Sequence, residues 1–89
     1  MSAFFIKIYG RVQGVGFRYF AYKIAKKMGV NGYVRNADDG SVEIHAQASE
    51  NVLREFINQV SRGPISAIVT NVEYKEVSEE DFQTFEILD

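Results

Sequence analysis

The chain has 89 residues, of which 46% are apolar and 25% are charged, and it contains no cysteine. This length supports one hydrophobic core, so we expect a single domain spanning residues 1–89. The net charge of −2 excludes a general attraction to nucleic acid or anionic membranes, so any anion site has to be local. The lack of cysteine excludes disulfides, a thiolate nucleophile and cysteine-ligated metals. No segment resembles a signal peptide or a membrane span, and we expect a cytoplasmic protein.

The first two predicted elements are a strand and a helix, separated by a glycine-rich loop. Apolar residues alternate over residues 4–9, which predicts a strand. From Phe17 to Met28 they recur with helical spacing, and Gly29 is a typical helix stop. The segment between them, residues 10–16, reads GRVQGVG and is called the glycine loop below.

The middle of the chain predicts a β-hairpin. Residues 30–36 and 42–48 alternate as strands on either side of the turn sequence Asp38-Asp39-Gly40. The two aspartates are interpreted as turn formers, because a metal site would need further ligands that the sequence does not supply. His45, the only histidine, falls on the outward strand face, so we expect a solvent-exposed cross-strand residue and not a catalytic base.

The second half of the chain repeats the alternation of helix and strand. Ser49 is placed to cap a helix that ends before Gly63-Pro64, and a fourth strand covers residues 68–74. An acidic loop and a short terminal strand around Phe85 follow. The order β-α-β-β-α-β plus a short terminal strand predicts an α+β, ferredoxin-like split β-α-β sandwich. Two helices should cover one face of an antiparallel sheet.

The glycine loop has the composition of an anion-binding site. Glycine permits positive φ and close approach of the main chain to a ligand, and the start of a helix offers unpaired N–H donors. The Arg18 guanidinium adds a planar set of donors suited to phosphate. Spacing alone allows a second interpretation, in which the glycines serve tight packing and Arg18 is solvated. The sequence Gly16-Phe17-Arg18 is not a Walker loop, and Tyr19 excludes a dinucleotide fingerprint.

Asn36 is the second candidate, at the end of the second predicted strand. It shares the inward face with Val34, where a carboxamide needs hydrogen-bond partners. It either caps the hairpin turn or holds a water or substrate oxygen beside the glycine loop. No serine, threonine or cysteine lies in the glycine loop to act as a nucleophile, so hydrolysis here would use water directly, without metal or covalent intermediate.

Three segments, residues 10–18, 32–36 and 39–43, closely resemble the motifs of the acylphosphatases, and the similarity covers essentially the whole chain. The resemblance implies a five-stranded sheet with two helices on one face. It also implies cofactor-free hydrolysis of the carboxyl-phosphate bond of acyl phosphates. Arg18 and Asn36 would be the catalytic residues, with Asn36 orienting water and the substrate's own phosphate accepting the proton. The phosphate would be bound by the main-chain N–H groups of Gln13, Gly14, Val15, Gly16, Phe17 and Arg18, together with the Arg18 guanidinium.

The resemblance implies a small-molecule acyl phosphate as partner, with no nucleic acid, membrane or metal, and we expect a monomer. Tyr33 and Ala48 depart from the residues common in the family, which are tryptophan and glycine. One alternative is a non-catalytic phosphate- or RNA-binding ferredoxin-like module, although residues 41–46 lack an aromatic platform for bases. Another is a phosphate-binding domain detached from a larger enzyme, such as the acylphosphatase-like part of a carbamoyl-transferring maturation protein.

Overall fold

A computed structural model describes all residues from 1 to 89. The predicted order of elements is confirmed. The strands and helices are β1 Ser2–Arg11, α1 Phe17–Met28, β2 Asn31–Asn36, β3 Val42–Ala48, α2 Glu50–Val60, β4 Ile68–Glu76 and β5 Phe85–Leu88.

The five strands form one sheet in the order β4-β1-β3-β2-β5. β1 pairs antiparallel with β3 and β4, and β2 pairs antiparallel with β3. β5 instead runs parallel to β2, so the sheet that we predicted as antiparallel is mixed. The reason is the connection from β4 to β5, residues 77–84. It crosses from one sheet edge to the other in a single pass, so β5 runs opposite to β4 and therefore in the direction of β2.

Both helices cover one face of the sheet and bury their apolar sides against it. The fully buried residues of α1 are Phe17, Ala21 and Ala25, and those of α2 are Leu53, Phe56 and Val60. The Ser49 hydroxyl accepts from the Val52 N–H at 3.4 Å, which confirms the predicted cap. The strand residues that face the helices form most of the core.

The outer face of the sheet is not open to water at His45, which is only 3% exposed. The prediction of a solvent-exposed His45 is therefore wrong. The connection 77–84 crosses over this face, and the Phe82 ring lies 5.0 Å from the imidazole, which also stacks on Tyr33 at 5.9 Å. The imidazole Nε2 is 2.8 Å from the Gln47 carboxamide oxygen, so the buried ring has a hydrogen-bond partner.

Neither helix has the length and apolar character that a membrane-spanning segment needs.

Candidate active site

The first two residues of the glycine loop are the last two of β1, and its last residue leads directly into α1. Gly14 and Gly16 have φ of 76° and 81°, in the left-handed region that favours glycine, and Gly16 is the N-cap of α1. A Cβ at either position would meet no atom within 4 Å. The glycines are therefore required by the backbone conformation of the loop and not by crowding.

The main-chain N–H groups at this turn have no partner within the chain. None of the N–H groups of residues 13–19 donates to a carbonyl, and the first helical bond runs from the Phe20 N–H to the Gly16 carbonyl at 3.0 Å. Side chains do not accept from them either. Unpaired donors at the positive end of a helix form an anion-binding site, so the loop geometry favours the first of its two interpretations.

Arg18 and Asn36 line one cavity of about 320 Å³. The cavity lies where α1 begins and β2 ends, and it also reaches β5. Its full lining is Val12, Gly14, Gly16, Phe17, Arg18, Tyr19, Asn36, Ile87 and Asp89. The unpaired main-chain donors, a guanidinium and a carboxamide therefore border the same space.

The Arg18 side chain is 37% exposed, and its nearest carboxylate is that of Asp89, with Nη1 to Oδ1 at 3.9 Å. Asp89 is fully exposed, and an ion pair of this kind contributes about 0–1 kcal/mol. The guanidinium is therefore not committed to a strong internal partner and is available to an anion in the cavity.

Asn36 is the last residue of β2, opposite Val42 in β3. Its carboxamide makes no hydrogen bond within the chain, so it does not cap the hairpin turn. That turn is capped instead by Asp39, whose Oδ1 accepts from the Ser41 N–H at 3.0 Å and from the Ser41 hydroxyl at 2.6 Å. Of the two interpretations of Asn36, the structure favours the one in which its carboxamide faces a ligand.

The charged residues around the hairpin serve the turn and the outer sheet face. The Lys7 ammonium lies 2.9 Å from the Asp39 carboxylate and 3.4 Å from that of Glu43. The Ser41 hydroxyl, Lys7 and the Ser41 N–H together hold the pKa of Asp39 well below its usual range. The Arg35 guanidinium binds Glu43 at 2.8 Å, and this contact raises the pKa of Arg35. Arg35 therefore lies outside the cavity.

The structure separates the predicted phosphate-binding residues into two groups. Gly14, Gly16, Phe17 and Arg18 line the cavity, whereas Gln13 and Val15 do not. The Gln13 side chain donates instead to two carbonyl oxygens of the hairpin turn.

Tyr19 and Ile87 form an apolar wall of this cavity that was not among the predicted site residues. Tyr19 follows the candidate residue Arg18 directly, so the sequence already placed it near the cavity. No such indication existed for Ile87, because only the parallel pairing of β5 with β2 brings it there. No group of three or more histidine, aspartate or glutamate residues is arranged to hold a metal ion.

Comparison with known proteins decides the family. The family model for acylphosphatase matches residues 4–87. The chain belongs to the acylphosphatase family. An acylphosphatase from Pseudothermotoga lettingae is 59% identical over 88 residues, 99% of each chain, and one from Archaeoglobus fulgidus is 44% identical over 87 residues, 98% of each. The crystal structure of acylphosphatase from Bacillus subtilis matches all of both chains, with a TM-score of 0.96 and 42% identity.

A fourth comparison concerns the alternative of a detached domain. Full-length HypF, in a phosphate- and nucleotide-bound crystal structure, matches 99% of this chain but only 12% of its own length. Its TM-score is 0.93 at 30% identity. Acylphosphatases of nearly the same length as this chain are more similar to it in sequence than HypF is. The predicted family, fold and enzymatic class are confirmed: the chain is a hydrolase of acyl phosphates, and a non-catalytic binding module is not favoured.

Proposed function

We propose that the chain hydrolyses the carboxyl-phosphate bond of acyl phosphates by direct attack of water on phosphorus. The glycine loop and Arg18 bind the phosphoryl group, and Asn36 orients the water. The observation that carries this assignment is the single cavity bordered by Gly14, Gly16, Arg18 and Asn36 beside unpaired main-chain donors. The products are a carboxylate and inorganic phosphate.

Binding follows from the charge of the donors. Hydrogen bonds to a charged group contribute about 1.5–3 kcal/mol each, and the loop supplies several together with the Arg18 guanidinium. Because the donors are held by the backbone before substrate arrives, they need little reorganisation as negative charge develops on the phosphoryl oxygens. The small negative net charge of the chain is a weaker and more distant effect.

The attacking step needs one positioned water. The Asn36 carboxamide oxygen can accept a hydrogen bond from that water while its NH₂ group donates to a phosphoryl oxygen. The water oxygen forms the new bond to phosphorus as the bond from phosphorus to the carboxylate oxygen breaks. The proton of the water goes to a phosphate oxygen of the substrate. Catalysis on this account is positioning and charge stabilisation, as in phosphoryl transfer generally.

The substrate is a small molecule, since a cavity of about 320 Å³ is at the low end of ligand sites. Its acyl group faces the apolar wall formed by Tyr19 and Ile87. The proposal includes a monomer of one domain, residues 1–89, acting in the cytoplasm without nucleic acid or membrane. The low net charge and the lack of cysteine support this part of it.

The test is benzoyl phosphate hydrolysis with a metal chelator present, comparing two substitutions with matched controls. We expect Arg18→Gln to lose both binding and turnover, and Asn36→Ala to lose mainly kcat, each by about 10²–10³-fold in kcat/KM. Arg54→Gln and Asn58→Ala, both on the exposed side of α2, should keep normal activity. Near-normal activity of Arg18→Gln and Asn36→Ala would refute the proposal.

A further inference from the structure

The Gln13 side chain links the glycine loop to the hairpin turn, residues 37–41. Its Nε2 donates to the Ala37 carbonyl oxygen at 2.8 Å and to the Ser41 carbonyl oxygen at 3.0 Å. The same Ser41 oxygen accepts from the Ala37 N–H at 2.8 Å. Both protons of one NH₂ group are therefore used, and they join the two ends of the turn.

The two carbonyl groups that accept from Gln13 belong to residues next to Asn36, one along the chain and one across the sheet. Ala37 directly follows Asn36, and Ser41 directly precedes Val42, which lies opposite Asn36 in the β2·β3 ladder. Gln13 makes the only side-chain hydrogen bonds between the glycine loop and this turn. The main chain that carries the water-orienting carboxamide is thus tied to the main chain that binds phosphate.

The two hydrogen bonds of Gln13 connect segments on either side of β3, a strand with no residue in the cavity lining. The glycine loop follows β1 and Asn36 ends β2, and β3 lies between these strands in the sheet. Lys7 holds the same turn from β1 on the outer sheet face, through Asp39. Gln13 acts at the cavity end of the strands, where a small shift of the turn would move Asn36 relative to the phosphate.

We propose that Gln13 is a positioning residue: its carboxamide fixes the distance between the Asn36 side chain and the phosphate bound by the glycine loop. The inference rests on the proposed role of Asn36. A displacement of about 1 Å at a reacting group can cost about 10²-fold in rate. A Gln13 carboxamide turned the other way would place its oxygen against both carbonyl oxygens, so only the present orientation makes the two hydrogen bonds. An isosteric glutamate would place a carboxylate oxygen against them.

The first test is a double-mutant cycle with Gln13→Met, which keeps length and removes both donors. In the wild-type background we expect kcat for benzoyl phosphate to fall about tenfold, with KM and competitive inhibition by inorganic phosphate nearly unchanged. In the Asn36→Ala background the same substitution should change kcat by less than about twofold, because there is no carboxamide left to position. Gln83→Met, at an exposed position on the 77–84 connection, is the matched control.

Each outcome decides a different point. An equal loss of kcat in both backgrounds, or a loss of phosphate inhibition in place of kcat, overturns the positioning role while leaving Asn36 in place. Unchanged kcat in Asn36→Ala alone refutes the proposed function of Asn36 and the inference with it.

If Gln13→Met folds poorly, Gln13→Glu tests the positioning role of Gln13 instead. In Gln13→Glu the side chain regains one donor when it is protonated. The ratio of its kcat to that of the wild type should therefore rise as pH falls towards the usual glutamate pKa of about 4.3. A flat ratio would also overturn the positioning role.

Discussion

The glycine loop and the hairpin turn both contain glycines with positive φ, yet they treat their polar groups in opposite ways. The loop leaves the N–H groups of residues 13–19 without partners. The turn pairs most of its polar groups: the Ala37 N–H, the Gly40 N–H and the Ser41 N–H and hydroxyl all donate within it. The loop has main-chain donors free for a ligand, whereas the turn uses most of its polar groups for its own hydrogen bonds. Under the proposed function, one glycine-containing turn binds the phosphate and the other holds Asn36 in place.

The largest expected difference between the two regions is in the loss of kcat/KM when a glycine of each is replaced by alanine. Gly16→Ala and Gly40→Ala both place a side chain at positive φ, 81° and 93°, with no atom within 4 Å of the new Cβ. Each should lower the free energy of unfolding by about 1–2 kcal/mol, the cost of left-handed backbone for a non-glycine residue. We expect Gly16→Ala to lose about 10²-fold in kcat/KM as the loop donors shift, and Gly40→Ala to lose about tenfold or less, through a shift of Asn36.

Urea unfolding and benzoyl phosphate kinetics on both variants measure this difference. Equal losses of activity would mean that the glycine loop has no special role in binding. Equal stability costs with unequal activity would establish the contrast between the two regions.

A smaller effect concerns the charge that stabilises the hairpin turn. Because the pKa of Asp39 is lowered in the fold, its carboxylate stabilises the native state above the usual aspartate pKa of 3.8. That contribution is lost as pH falls below this value towards the lowered pKa. The difference in unfolding free energy between the wild type and Asp39→Asn should therefore shrink steadily on acidification below about pH 4.

Urea unfolding from pH 6 to about pH 2 tests this prediction. Asp38→Asn is the matched control, since this carboxylate in the same turn makes no hydrogen bond or ion pair. If the two variants showed the same pH dependence, the contacts of Asp39 with Ser41 and Lys7 would not be its cause.

The smallest effect should be on substrate choice at the open region. Tyr19 is 60% exposed, stacks on Tyr22 with centroids 6.3 Å apart, and has the Lys23 ammonium 5.5 Å from its ring. Tyr19→Ser removes this surface from the cavity mouth. We expect KM for benzoyl phosphate to rise about three- to tenfold, with little change for acetyl phosphate.

Tyr74→Ser, at a similarly exposed tyrosine on β4, should leave both KM values unchanged. A parallel rise for both substrates in Tyr19→Ser would place its effect on phosphate binding and not on the acyl group.

Periodicity and turn chemistry were sufficient to predict the elements and their order. The alternation in β1 and the apolar stripe from Phe17 to Met28 are periodic within each element, so they can be read without knowing which segment packs against it. Arg18 could be predicted as a candidate because it lies two residues after the glycine loop, at the start of the predicted helix. Asn36 was readable as a polar residue on an inward strand face.

The features that the sequence did not disclose depend on distant segments. The burial of His45 depends on Phe82, far along the chain, and the place of Ile87 depends on the β2·β5 pairing. The hydrogen bonds of Gln13 reach 24 and 28 residues away. Such pairings leave no periodic pattern in either partner, so only the folded structure shows them.

The position of β3 has a consequence for the recovery of function after denaturation. β3 separates the strands that carry the glycine loop and Asn36, and none of its residues lines the cavity. Contacts between segments so distant in sequence form slowly, because loop closure has to precede them. Regained turnover in a refolding experiment should therefore lag behind the return of helical circular dichroism, and it would report the moment at which the central ladders are complete.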